Sequence, residues 1–235
     1  MLLLRQLFDQ DSGTYTYLLA DEASREAVLI DPVKEKLPTY LQLLRELKLT
    51  LRQAIDTHVH ADHVTALGDL RDATGCQTGM GSPSVSACVS HQFVDGEKLA
   101  FGAYTLQALY TPGHTNDSYS FLLEADDRRY VFTGDTLLIR GTGRTDFQNG
   151  DACQQYRSLF EVLLKLPGDT VVYPGHDYKG WTSSTIGEER SNNPRLQVSG
   201  EEDYVRLMQS LNLPSPKLMD VAVPANQACG QRPIF

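Results

Sequence analysis

The chain has 235 residues, 41% of them hydrophobic and 22% charged, and a formal net charge of −9. These are the proportions of a soluble globular protein long enough to bury a sizeable core. The acidic balance works against non-specific attraction to phosphate backbones, so nucleic acid is not an expected partner. Cys76, Cys88, Cys153 and Cys229 lie far apart and form no CxxC pair. That usage suits a reducing compartment and argues against both a zinc ribbon and a disulfide scaffold. The opening apolar run is too short for a signal peptide, and no stretch approaches membrane-spanning length. The expected location is cytoplasmic, with no membrane association.

Three short strands are expected over 2–8, 14–20 and 27–30, separated by Asp11-Ser12-Gly13 and by a charged turn. Short consecutive strands with tight turns imply an antiparallel meander. Leu37, Tyr40, Leu41, Leu44 and Leu47 recur at helical spacing, and a buried strand follows over 51–55. A helix is expected over 64–74 and a strand over 76–80. Two strands are expected around Phe101-Gly102, then two more over 118–123 and 129–133. The segment 151–166 reads as an amphipathic helix and 170–173 as a strand. A last helix over 201–211 has Ser199 and Glu202 as a candidate capping box. From about 212 the chain, with Pro214, Pro216, Pro224 and Pro233, reads as mostly irregular. No linker interrupts the pattern, and a single domain over 1–235 is expected.

The chemistry gathers at Thr57-His58-Val59-His60-Ala61-Asp62-His63. A histidine met singly is more often a surface or hydrogen-bonded residue than a ligand. Here three of the chain's six histidines crowd into six residues with an aspartate, between a strand and a helix. Imidazole and carboxylate together ligate first-row metals. His114, Asp135 and His176 share that setting, each after a strand-like run and on a turn with Gly, Pro or Thr. Several strand ends converging on one metal pocket explain the recurrence economically.

Four segments, T-H-V-H-A-D-H, then T-P-G-H-T at 111–115, G-D at 134–135 and P-G-H at 174–176, resemble the metallo-β-lactamase superfamily. The resemblance implies an α/β fold, an αββα sandwich of two mixed sheets between outer helices. Finer segments resemble its persulfide dioxygenase branch. They are 24–32, 141–148, 176–180, 184–190, 193–196 and 223–230, the last containing V-P-A-N and C-G.

That branch implies one Fe(II) per chain, held by His58, His114 and Asp135. His60, Asp62, His63 and His176 would then orient ligands or water, or mark a vestigial second metal site. A two-histidine, one-carboxylate face leaves positions open for substrate sulfur and dioxygen. The implied reaction converts glutathione persulfide, O2 and water to glutathione and sulfite, a step of sulfide oxidation. For the tripeptide, Arg144 and Tyr178 are the leading contacts and Arg195 the next, because guanidinium suits a carboxylate. A homodimer is compatible with this reading, and Cys229 reads as a buried inert thiol.

The ligand inventory alone also suits a dinuclear glutathione thioester hydrolase of the glyoxalase II type, with metal-bound hydroxide as nucleophile. A non-enzymatic metal-binding module is the lower alternative.

Overall fold

In a computed structural model of the chain, which describes residues 1–84, 86, 88–213 and 218–231, the turn chemistry sets the first strands. β1 (Leu2–Phe8) folds back on β2 (Tyr15–Asp21), Leu2 opposite Asp21 and Phe8 opposite Tyr15. At the turn the Asp9 carboxylate accepts the Ser12 N–H at 2.9 Å, and Gly13 takes φ 78°. β3 (Glu26–Ile30) completes the expected antiparallel meander. β4 (Thr50–Ile55), β5 (Gln77–Gly81) and β6 (His91–Phe93) then add parallel to it, giving a mixed sheet in order β1-β2-β3-β4-β5-β6. β6 was not expected.

The second sheet contains β7 (Lys98–Phe101), β8 (Tyr104–Tyr110), β9 (Tyr119–Ala125), β10 (Arg128–Phe132), β11 (Val171–Tyr173) and β12 (Ser184–Thr185). Its order is β12-β11-β10-β9-β8-β7, with β10 and β11 parallel. The chain divides into two units. The first holds Met1–Phe93, Leu99–Thr105 and the segment from 215; the second holds Val94–Lys98 and residues 106–214.

In the first unit α1 (Leu37–Glu46) carries Pro38 in its first turn, where the missing N–H costs nothing, and buries Tyr40 and Leu44. α2 (Leu67–Thr74) ends at Gly75, left-handed at φ 71°. It starts three residues later than the periodicity suggests, because residues 64–66 are committed elsewhere. The Val64 carbonyl accepts from Lys34 N–H, Ala66 N–H donates to Pro32, and Thr65 N–H donates to the Asn226 side chain. Leu18, Leu29, Ala54, Leu67 and Met80 are among the core residues of this unit.

In the second unit α3 (Ala152–Arg157) is capped by the Asp151 carboxylate, which accepts from Cys153 and Gln154 N–H. The helix expected through residue 166 continues as a π turn over Ser158–Val162 and a 3-10 turn over Leu163–Lys165. α4 (Ile186–Asn192), missed in the sequence, is capped by Thr185. α5 (Glu201–Gln209) has Gly200 at its N-cap, and the Ser199 pairing goes to Asp203 rather than Glu202. Leu159, Leu163, Val172, Ile186 and Tyr204 pack this unit's core.

Two expectations are corrected. The tail contains α6 (Met219–Gln227), which keeps Pro224 inside it; residues 214–217 and 232–235 of that tail lie outside the described residues. Cys229 is not a free thiol but is joined to Cys88 in a disulfide across 141 residues, while Cys76 and Cys153 stay free. Linear spacing does not reveal such a pair, because the fold alone brings its ends together.

Candidate metal centre and substrate pocket

The histidine loop leaves β4 at Ile55 and is pinned by a carboxylate from the neighbouring strand end. Asp31, just past β3 at φ 52°, accepts the Thr57 N–H at 2.7 Å and the Thr57 hydroxyl at 3.0 Å. That hydroxyl has spent its proton, so it accepts from His58 Nδ1 at 2.9 Å. His58 is thereby fixed with Nδ1 protonated, so that Nε2 is the nitrogen it would present to a metal.

Asp31 also lies 3.2 Å from His60 Nε2. Burial by itself would favour the neutral His60 ring, but the nearby carboxylates of Asp31, Asp56 and Asp62 outweigh it and raise the pKa to about 9. His63 Nδ1 sits 2.9 Å from Asp62 Oδ2, and the Thr14 hydroxyl bridges the two. Ligand atoms of His60, Asp62 and His63 fall within 4.8 Å of one another, as do those of Asp31, Asp56 and His60.

From the other side of the loop Asn226 of α6 closes the backbone. Its Nδ2 donates to the carbonyls of His60 at 2.9 Å and His63 at 2.8 Å, and its Oδ1 accepts Thr65 N–H at 2.8 Å. Neither Asp31 nor Asn226 was named as a site residue from the sequence, although both lie in segments that carry the family resemblance.

In the second unit His114 follows β8 and Asp135 follows β10. His114 Nδ1 donates to the Arg144 carbonyl at 2.7 Å, leaving Nε2 as an acceptor 3.6 Å from Asp135 Oδ2. Two donors each about 2.1 Å from one ion lie roughly 3–3.5 Å apart, so this pair suits a shared cation. The other oxygen of Asp135 is held by His176 Nδ1 at 2.6 Å. Gly143 lets the chain pass this close: a Cβ there would meet the Asp135 carbonyl at 2.3 Å and His114 Nδ1 at 2.8 Å.

A cavity of about 410 Å³ opens here, lined by His114, Asp135, His176, Arg144, Tyr178 and Arg195. Of the ten residues singled out in the sequence these six share the cavity, while His58, His60, Asp62 and His63 belong to the loop of the first unit. Arg140 and Lys179, not singled out, also line it. Four cationic side chains around one cavity, in a chain of net charge −9, favour an anionic ligand.

These cations differ in commitment. Arg140 pairs with Glu189 and Glu188 and lies over the Trp181 ring. Arg195 donates to the Thr142 carbonyl at 2.6 Å and hydroxyl at 3.0 Å. Arg144 grips Asp146 through Nε at 2.6 Å and Nη2 at 2.8 Å, and stacks on Phe147. That grip holds the Asp146 carboxyl below its usual range. Tyr178 is 74% exposed and stacks on His176, 6.0 Å between centroids. Buried Asp177 sets this loop by accepting the N–H groups of Lys179, Gly180 and Trp181.

Residues 10–176 match the Metallo-beta-lactamase superfamily. The chain is 50% identical over 230 residues to the human mitochondrial persulfide dioxygenase ETHE1, covering 97% of this chain and 89% of that protein. The crystal structure of ETHE1 from Myxococcus xanthus superposes with a TM-score of 0.94 at 53% identity, over 97% of this chain and all of that one. A more distant structure, TTHA1623 in a di-iron-bound form, reaches a TM-score of 0.65 at 27% identity over 81% of this chain and 98% of that one. The two mixed sheets with their helices are thus the α/β architecture expected, and the chain belongs to the metallo-β-lactamase superfamily, in its persulfide dioxygenase branch.

Proposed function

We propose that this protein is an Fe(II)-dependent persulfide dioxygenase that oxidises glutathione persulfide with O2 and water to glutathione and sulfite. The observation that carries the reading is 50% identity to a persulfide dioxygenase over 97% of the chain. The thioester hydrolase is not favoured, since identity this high to a persulfide dioxygenase covers 97% of the chain.

His58, His114 and Asp135 are the proposed ligands of one iron per chain. The donor set fits: both imidazoles have Nδ1 engaged, so that Nε2 is the nitrogen each would offer a metal, and Asp135 would offer the oxygen other than the one held by His176. When bound, iron supplies a redox centre at which substrate sulfur and dioxygen meet. Asp31 acting through Thr57, the Arg144 carbonyl and His176 each fix the orientation of one proposed ligand. His60, Asp62 and His63 complete the polar surround.

The cationic cavity draws in the anionic tripeptide, with Arg144, Tyr178 and Arg195 as the proposed contacts. No described helix is long and apolar enough to cross a membrane. A cytoplasmic location and a single folding domain remain parts of this proposal.

Oxygen-electrode measurement tests it. One O2 consumed per sulfite formed is expected, because two of the three sulfite oxygens come from O2 and one from water. Turnover stops without air. Anaerobic hydrolysis of S-lactoylglutathione at ordinary enzymatic rates, on the order of 10 per second, with no oxygen uptake on persulfide, would replace this reading with the hydrolase.

A further inference from the structure

The C-terminal segment meets the histidine loop through one side chain. Asn226 is fully buried, and its amide spends both N–H groups and its oxygen on the backbone of residues 60–65. Aspartate at that place has no donor for the two carbonyls, and leucine of similar size would strand all three backbone groups. The side chain therefore fixes the path of the loop whose histidines carry the proposed chemistry.

The hold of this segment on the rest of its unit is slight in apolar terms. α6 buries only Ala222 and Asn226, with Val223 partly packed on the core. Beyond it, the Cys229 carbonyl accepts Gly68 N–H at 2.9 Å and the Gly230 carbonyl accepts Lys34 Nζ at 2.9 Å. Gln231 exchanges hydrogen bonds with Arg71 at 3.2 Å and Asp72 at 2.6 Å, and the Ser86 hydroxyl donates to the Asn226 carbonyl at 3.5 Å. The covalent tie runs from Cys229 to Cys88. Cys88 lies on the β5–β6 connection, with its carbonyl held by Arg71 at 2.7 Å. It is only partly buried, whereas Cys229 is fully buried, so Cys88 is the half of the disulfide nearer to solvent.

We propose that residues 218–231 are a redox-latched clamp on the histidine loop, with Asn226 as the positioning residue and the Cys88–Cys229 disulfide as the latch. The opening reaction is thiol–disulfide exchange with a low-molecular-weight thiol. A thiolate attacks the Cys88 sulfur, the S–S bond breaks, and Cys229 leaves as a thiolate that takes a proton. A second thiolate resolves the mixed disulfide, so two thiols become one disulfide and two electrons pass to the protein. The thiol product of the proposed reaction is a reductant of this class. The clamp does not depend on the reaction assigned above; its control of turnover does.

The test uses the full chain equilibrated with glutathione disulfide and compared with the same protein after reduction. Thiol counting after denaturation is expected to find two free thiols in the oxidised protein, Cys76 and Cys153, and a linked Cys88–Cys229 peptide. Four free thiols would overturn the latch. By hydrogen-exchange mass spectrometry, reduction is expected to speed amide exchange at 60–68 and 219–231 by at least about tenfold, with β8–β10 unchanged. Cys88→Ser should show the same local loosening and no response to reductant. Asn226→Asp should loosen 60–68 with the disulfide intact, and turnover per bound iron should fall while KM stays within about twofold. Unchanged exchange at 60–68 in the reduced protein or in Asn226→Asp, or an equal rise in every strand, overturns the proposal. Failure of oxygen uptake in all forms would instead count against the assigned reaction and leave the exchange readout standing.

Discussion

His176 holds Asp135 by a single short contact, Nδ1 to Oδ1 at 2.6 Å, while the second carboxylate oxygen faces His114 Nε2 at 3.6 Å. One aspartate thus has its two oxygens assigned to different tasks. If Asp135 is a ligand and His176 its orienting partner, removing them has unequal effects. His58→Ala, His114→Ala and Asp135→Ala are each expected to abolish bound iron and activity. His176→Ala is expected to weaken iron affinity by roughly 10- to 100-fold, the usual cost of losing an orienting group, and His60→Ala to lose less metal than the three ligand variants. Metal analysis of protein purified without added metal checks this, and two zinc ions per active chain would contradict it.

The buried His60–Asp31 pair predicts a pH dependence for the metal-free protein. The folded-state pKa of His60 is raised to about 9, above the ordinary 6.5. A raised pKa means the folded state binds the proton more tightly than the unfolded chain does. The contribution is therefore complete below about pH 6.5 and is lost as pH rises through about 9. Urea midpoints measured between pH 6 and 9.5 should fall across that window. Asp31→Asn should flatten the fall, and an unchanged slope in that variant would remove Asp31 as its cause.

What the sequence made legible follows the range of the interactions. The β1–β3 meander and the strand feeding His58 are written in local alternation and turn residues, and they form as expected. The site histidines and Asp135 stand on turns after strands, a signal readable without the fold, whereas Arg144, Tyr178 and Arg195 were named through the family resemblance and Arg140 and Lys179 were not named. Asn226 lies in a segment that carries the family resemblance, but its hold on the loop is not readable there, because its partners are backbone groups more than 160 residues away. Asp31 reads locally as a strand stop, and its hold on Thr57 and His60 appears only when β3 and β4 lie side by side. The late start of α2 has the same origin: local periodicity favours helix from 64, but bonds to Pro32, Lys34 and Asn226 take that backbone first.

The Cys88–Cys229 link should matter to stability as well as to the loop. Joining residues 141 apart restricts the unfolded chain, and removing such a link costs roughly 2–5 kcal/mol. For a chain of this size that corresponds to a fall of about 5–15 °C in melting temperature. Calorimetry of oxidised protein against Cys88→Ser checks it, with Cys153→Ser as a control that should melt unchanged because Cys153 is unpaired.

Arg144 poses the sharpest question in the cavity, because its guanidinium is already occupied on one edge by Asp146. A substrate carboxylate has to share the guanidinium with Asp146 or displace it, so Asp146 competes with it. If Arg144 contacts the tripeptide, Arg144→Ala removes a charge-assisted bond worth roughly 1.5–3 kcal/mol. KM should then rise at least about tenfold with iron content retained. Asp146→Ala should act in the opposite direction, lowering KM, since it frees the guanidinium and removes a negative charge from the cavity rim. If Arg144 is only a loop fastener, the two variants should instead resemble each other, because both cut the same ion pair. In that case KM would move the same way in both, or in neither, and the substrate carboxylate would have to be assigned to Lys179 or Arg195.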